Sequence, residues 1–376
     1  MHYFLIAGEA SGDLHASRLM ASLKEHDPEA RFTFLGGDLM AAEAGHAPVI
    51  HLRDMAYMGF ADVARHLPDV LRNLKTARRS LVEARPDALI LIDYPSFNLK
   101  VAKTAVKADI PVYYYVSPKV WAWKEGRVKT MKKLVKRLFV IFPFEVPYFR
   151  DRHDWDVTFV GNPSVEEIDR ALAVVPSRTD YLREHRLRDR PIVALLPGSR
   201  VGEIRSNLRV MTAVIERFPQ YRGVIAGAPS IDPSVYRAIT NLPVVTDGTP
   251  ALLAHSRAAL VTSGTATLET ALVGVPQVAC YRSNGSKLAY KLMSKILKVK
   301  FVTLPNLIAD REVIPEQLLH QCTPDLVAEK LTPLLRDTPE RTAMTDSYRE
   351  IRTILTAPGS APDNTARAIV ADLNRP

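Results

Sequence analysis

Four polar clusters each follow an apolar run, and each carries side chains suited to group transfer. In LIDYPSFNLK, Asp93 ends a strongly apolar stretch. A carboxylate there loses part of its hydration, which raises its pKa and suits it to take a proton. The other reading of Asp93 is an acceptor at the helix start that Pro95 opens. In GEASGDLHA, Gly8 and Gly12 admit a ligand close to the backbone, and Glu9, Ser11, Asp13 and His15 bring polar groups. Glu9 and Asp13 are the other candidate bases, and Ser11 a candidate ligand contact. The stretch is neither a GxGxxG fingerprint nor a P-loop. In LLPGSRVGE, Gly198 and Ser199 shape a turn from which Arg200 projects. A guanidinium beside open backbone N–H groups can fork onto a diphosphate, or it can simply pair with Glu203. In VTSGTATLE, Ser263, Gly264 and Thr265 open a helix whose free N–H groups suit a phosphate, and Glu269 lies one turn on. A carboxylate there can accept both hydroxyls of a ribose. A diphosphate and a ribose together mean a nucleotide.

Positioning these groups takes alternating strands and helices. YFLIAGE, FTFLGG, ALILIDY, VYYYVS, RLFVIFP and VTFVGN read as strands in the first half. IVALLPGS, YRGVIAGA, PVVTDG, AALVTSG and PQVACYR do so in the second. Continuous apolar strands between helical patterns imply parallel sheets covered on both faces. Two such sets imply an α/β chain of two doubly wound, Rossmann-like domains, with ligands beyond the carboxyl ends of the strands. A length of 376 residues also favours two domains. The turn GNPSVEE after Val160 sets the expected division: 1–165, 166–344 and a helical segment, 345–376, whose docking on the first domain stays open.

Composition narrows the classes. No apolar segment is long enough to span a bilayer, and HYFLIAGEASGD shows no secretory leader. Cys280 and Cys322, far apart in sequence, form no paired framework, so a reduced cytoplasmic setting is expected. HExxH, paired CxxC and GxSxG patterns are missing, and Asp154-Trp155-Asp156 precedes a strand rather than following one. No metal or cofactor is expected.

The net charge of +9 is concentrated. Lys119 to Arg137 holds eight basic residues and one acid, and Arg282 to Lys300 holds six and none. Such patches suit a polyanionic partner. SKLAYKLMSKILKVK sets Lys291 and Lys295 on a basic helical stripe beside leucines. HLPDVLRNLKTARRSLV interleaves Leu71 and Leu74 with Arg78. Either helix suits an anionic membrane surface, or a core-facing helix with a solvated basic side.

The order GEASGD, IDYPSFN, YVSPKVWAWKEGRVK, LPGSRVGE, SGTATLE, CYR and TLPNLIADREVIPE resembles the lipid-A-disaccharide synthase family from about residue 3 to residue 320. Gly161-Asn162-Pro163 departs from it by carrying Asn where many relatives carry His. The resemblance implies a GT-B glycosyltransferase, its nucleotide-sugar site in the cleft between the domains, that inverts configuration without a metal. It would transfer diacylglucosamine from UDP-diacylglucosamine to diacylglucosamine 1-phosphate, as a cytoplasmic protein peripheral on the inner membrane. It also adds Asn306, in TLPNLIA, as a residue orienting the donor. Oligomeric state stays open, a homodimer included. The rivals are a UDP-N-acetylglucosamine 2-epimerase, a nucleic-acid-binding protein using the basic patches, and a noncatalytic membrane-surface protein. The resemblance points away from nucleic acid.

Overall fold

The computed structural model describes residues 1–55, 67–122, 124–246, 248–262, 264–282 and 300–375. The chain divides into two units, Met1–Pro163 with Leu355–Pro376, and Ser164–Ile354. The first unit holds strands β1 (His2–Ala7), β2 (Arg31–Gly36), β3 (Ile50–His51), β4 (Ala88–Ile92), β5 (Val112–Tyr115), β6 (Arg137–Val140) and β7 (Thr158–Phe159). They form one sheet in the order β3-β2-β1-β4-β5-β6-β7, every pairing parallel. The second unit holds β8 (Ile192–Leu196), β9 (Arg222–Ala226), β10 (Val244–Val245), β11 (Ser256–Val261), β12 (Gln277–Tyr281) and β13 (Glu316–Leu318). Their order, β10-β9-β8-β11-β12-β13, repeats that plan with parallel pairs throughout.

The central strands show why the sequence reads as unbroken apolar runs. Every residue of Ala88–Ile92 is fully buried, as is each from Tyr3 to Ala7, because helices cover both faces of the sheet. In each sheet the strand order reverses between the first strand and the fourth, β1 beside β4 and β8 beside β11. Loops leaving the carboxyl ends there part to opposite faces and open a crevice. The four polar clusters are the loops after β1, β4, β8 and β11.

The expected boundary at 344/345 falls inside one uninterrupted helix, Pro339–Thr356, and the division comes at 354/355 instead. No proline or glycine interrupts that helix before Pro358-Gly359. The closing helix, Ala361–Leu373, packs on the Ala10–His26 helix. It buries Ala366, Ile369 and Val370, worth about 1.5–3 kcal/mol for each larger side chain. Asp363 meets His26 at 2.7 Å, and Asp372 accepts from the Tyr113 hydroxyl at 2.5 Å and pairs with Lys136 at 2.9 Å. At the crossing, Asn162 N–H donates to the Leu355 carbonyl at 3.2 Å.

The two cysteines, read from sequence as forming no paired framework, are both free and buried, and each shifts the other's thiol. Parallel pairing of β12 with β13 carries Cys322 back to Cys280. Contact with Cys322 and burial push the Cys280 thiol up, while the bond from Cys280 lowers Cys322.

Candidate active site

In the first unit the crevice is built around a strained turn. Asp93 (φ 40°) and Tyr94 (φ 46°) are successive non-glycine residues in the left-handed region, a conformation costing about 1–3 kcal/mol each. Neighbours hold them there. The Asp93 carbonyl accepts from Asn98 Nδ2 at 2.7 Å and from the Tyr114 hydroxyl at 2.5 Å, and Asn98 Nδ2 also reaches the Ile92 carbonyl at 3.2 Å. Burial holds the Tyr114 phenol well above its usual pKa, so it stays a donor. The Tyr94 ring lies against Gly8, where an added Cβ would stand 2.2 Å from Cγ of that ring. Gly8 therefore serves close approach between the loops of β1 and β4, and Tyr94 adds a hydroxyl bond to the Met55 carbonyl at 3.3 Å.

The turn leaves the Asp93 carboxylate half-buried in the crevice. Burial raises its pKa first, and the nearby Glu9 carboxylate raises it further. Lys119, the Tyr94 N–H and His15 pull the other way without restoring the ordinary value. Asp93 thus collects Glu9 and His15 from the β1 loop and first helix, and Lys119 from the loop after β5. Glu9 and Ser11 are exposed.

Asp13 is not part of this group. It is buried, and it accepts from the N–H groups of Gly37 (2.7 Å), Leu39 (3.1 Å) and Met40 (3.2 Å). It therefore caps the Asp38–Ala44 helix from outside, and the sequence expectation of a base at Asp13 is corrected. Asp13→Ala orphans three N–H groups and is expected to cost about 3 kcal/mol, read as a lower Tm; an unchanged melt would contradict the capping role.

In the second unit β8 exits through Gly198 (φ +111°) and Ser199 to Arg200, the residue before the Val201–Ile215 helix. Arg200 is 76% exposed and meets Glu203 at 3.3 Å, so here it takes the pairing that the sequence offered as the alternative to a diphosphate. β11 exits through Thr262, whose N–H bonds the Leu196 carbonyl at 2.8 Å. Gly264 (φ +136°, ψ −156°) then turns the chain into the Thr265–Val273 helix, in a conformation only glycine adopts freely. Thr265 is exposed at that helix start. Glu269 is half-buried, its carboxyl raised by burial and then by Glu167. Ser263 lies outside the described residues.

Asn306 is a correction. Its amide donates to the Ile314 carbonyl at 2.9 Å and to Glu316 at 3.0 Å, and its oxygen accepts from Val313 and Ile314 at 2.7 and 2.9 Å. Fully buried and committed at both ends, it fastens the Leu304–Ala309 helix rather than a ligand. On the first unit's membrane-candidate helix Leu67 and Leu71 face outward, at 49% and 53% exposure; Leu74 is core, and Arg78 bonds the Lys100 carbonyl at 3.1 Å. Lys291 and Lys295 lie outside the described residues.

Sequence reasoning missed Lys119, Tyr94 and Glu145. Glu145 is buried at the start of the Glu145–His153 helix, accepting from Phe142 N–H at 3.1 Å, and desolvation pushes its pKa up to about 8. Its signal was the F-P-F-E spacing after a strand, a reciprocal helix-start bond from residue 145 to 142.

A family model described as Lipid-A-disaccharide synthetase matches residues 3–370. A Lipid-A-disaccharide synthase of Myxococcus xanthus is 38% identical, over 95% of this chain and 94% of its own. One from Acidobacterium capsulatum is 36% identical, over 95% and 92%. The UDP-GlcNAc 2-epimerase of Neisseria meningitidis, solved bound to UDP-GlcNAc, superposes with a TM-score of 0.67 at 13% identity, over 99% of both chains. The calicheamicin glycosyltransferase CalG4 gives 0.60 at 18% identity, over 100% of this chain and 98% of its own. These likenesses establish the fold, two doubly wound units of the GT-B kind. The sequence matches establish the lineage: the chain belongs to the lipid-A-disaccharide synthase family.

Proposed function

We propose that this chain is an inverting glycosyltransferase acting on two acylated sugars. The 6-hydroxyl of 2,3-diacylglucosamine 1-phosphate attacks C1 of the 2,3-diacylglucosamine carried by UDP. The O6–C1 bond forms as the bond from C1 to the UDP oxygen breaks, giving a β-1,6-linked disaccharide 1-phosphate and UDP. The observation that carries this reading is Asp93, a half-buried carboxylate with a raised pKa held at the first unit's crevice. It takes the hydroxyl proton, which makes the oxygen a competent nucleophile.

The second unit supplies the donor site. The diphosphate lies over the N–H groups that follow Gly198, Ser199 and Gly264, beside Thr265. Arg200 swings from Glu203 to the departing phosphate and stabilises its growing charge. Glu269 accepts the ribose hydroxyls. Glu9 keeps the Asp93 pKa high, and Ser11 contacts the UDP-sugar. Exposed Leu67 and Leu71 on the Leu67–Ala84 helix are the inferred contact with the inner membrane, from which both acylated substrates are drawn at its cytoplasmic face.

The test is turnover in detergent with EDTA present, scoring UDP release against disaccharide formed. One UDP per disaccharide is expected. UDP binding without transfer, together with interconversion of a UDP-N-acetylhexosamine at C2, would put the epimerase reading in its place.

A further inference from the structure

We propose that a cavity in the second unit, away from the Arg200 turn, is a binding site for a phosphate group. The cavity is about 500 Å³ and is lined, among the described residues, by Arg205, Ser206, Arg209, Val210, Arg282 and Pro324. Three arginines line it and no described lining residue is a carboxylate.

The backbone explains why they converge. Arg205 and Arg209 stand four apart on the Val201–Ile215 helix and so share one face. Arg205 and Arg209 stand four and eight residues past Val201, about 6 and 12 Å along the axis at 1.5 Å per residue, so the cavity lies along the helix and the inferred diphosphate turn at its start. Arg282 arrives from the carboxyl end of β12. Its N–H donates at 2.6 Å to Oδ1 of Asn207, a fully buried residue whose amide also bonds the Pro197 carbonyl at 3.3 Å. Its guanidinium is steadied by the Cys322 carbonyl at 3.3 Å. Arg282 is therefore held in place before a ligand comes.

The charges are also uncommitted. Arg217, near the far end of that helix, pairs with Asp325 at 2.7 Å, and Arg200 pairs with Glu203. Among the described residues Arg205 and Arg209 have no ion pair, so like charges crowd a cavity that an anion would relieve. Ser206 adds a hydroxyl, although it donates to the Gly202 carbonyl at 3.0 Å and offers only its lone pairs otherwise. Forked N–H pairs on several arginines are the chemistry of a phosphomonoester or diphosphate rather than of a carboxylate, which a single arginine satisfies. The phosphate belongs either to a soluble molecule or to a lipid headgroup.

Inorganic pyrophosphate titrated into the full chain, with UDP saturating the Arg200 site, separates the two cavities. Expected is calorimetric binding to the wild type, weakened about tenfold or more in the double variant Arg205→Gln, Arg209→Gln, with melting unchanged. Flotation with phosphatidylcholine vesicles, with and without phosphatidylglycerol, tests the second source. Vesicle recruitment lost in the double variant while pyrophosphate fails to bind would assign the site to a lipid headgroup. No difference between wild type and variant in either measurement overturns the proposal. Should UDP itself not bind, the proposed reaction fails, and the same titration on an Arg200→Ala background still tests the cavity.

Discussion

Asp93→Asn is expected to lower kcat by about 10²–10⁴-fold while UDP affinity holds. The substitution suits the position. Asn tolerates the left-handed backbone that residue 93 occupies, and the bonds that pin the turn go to the main-chain carbonyl, which the variant keeps. What it loses is a site for the acceptor's proton, so the deficit belongs to chemistry and not to folding. A pH profile adds a second reading. Burial and the Glu9 charge raise the Asp93 pKa, so the deprotonated form is lost as pH falls through a value above the usual carboxylate range. Wild-type kcat/KM should therefore drop on that acid limb. Glu9→Gln, which removes the second cause, should move the limb to lower pH, and Asp93→Asn should abolish it. A variant at position 93 that keeps near wild-type turnover would transfer the base to Glu9.

Arg200→Ala is expected to cost about 10²–10³-fold in kcat, because charge builds on the leaving diphosphate as the bond to C1 breaks. Its only described partner is Glu203, in an exposed pair worth about 0–1 kcal/mol, so the protein should melt as before. Arg200→Lys keeps the charge and loses the planar fork, and should fall between wild type and alanine. Equal kcat/KM in wild type and Arg200→Ala would leave the residue as a surface partner of Glu203 and nothing more.

The sequence displayed the central strands plainly, since strands buried on both faces cannot avoid reading as apolar runs. It hid two edge strands: β3 is Ile50–His51 and β13 is Glu316–Leu318, too short for any period to register, whereas the other edges, β7 and β10, showed as VTFVGN and PVVTDG. The four polar loops were legible because parallel sheets put glycine and polar residues at their carboxyl ends. What those residues bond was not. Asp13 meets Gly37 from 24 residues away, and Asn306 is committed to a turn at 313–314. In a linear reading, each resembles a polar group awaiting a ligand. Lys119 was seen only as one charge in a basic run, because its approach to Asp93 depends on β5 lying beside β4.

The docking of the Ala361–Leu373 helix on the Ala10–His26 helix also sets the order in which the polypeptide matures. The first unit's sheet is synthesised by residue 163, yet one of its covering helices is made only after the whole second unit, Ser164–Ile354. At about 5–20 residues per second, a ribosome spends roughly 10–40 s between the two. The second unit can close in that interval, while the first waits with the seat of Ile369 and Val370 open to water. Nascent chains stalled before residue 361 should expose that seat to chaperones, and chains released past 373 should lose it.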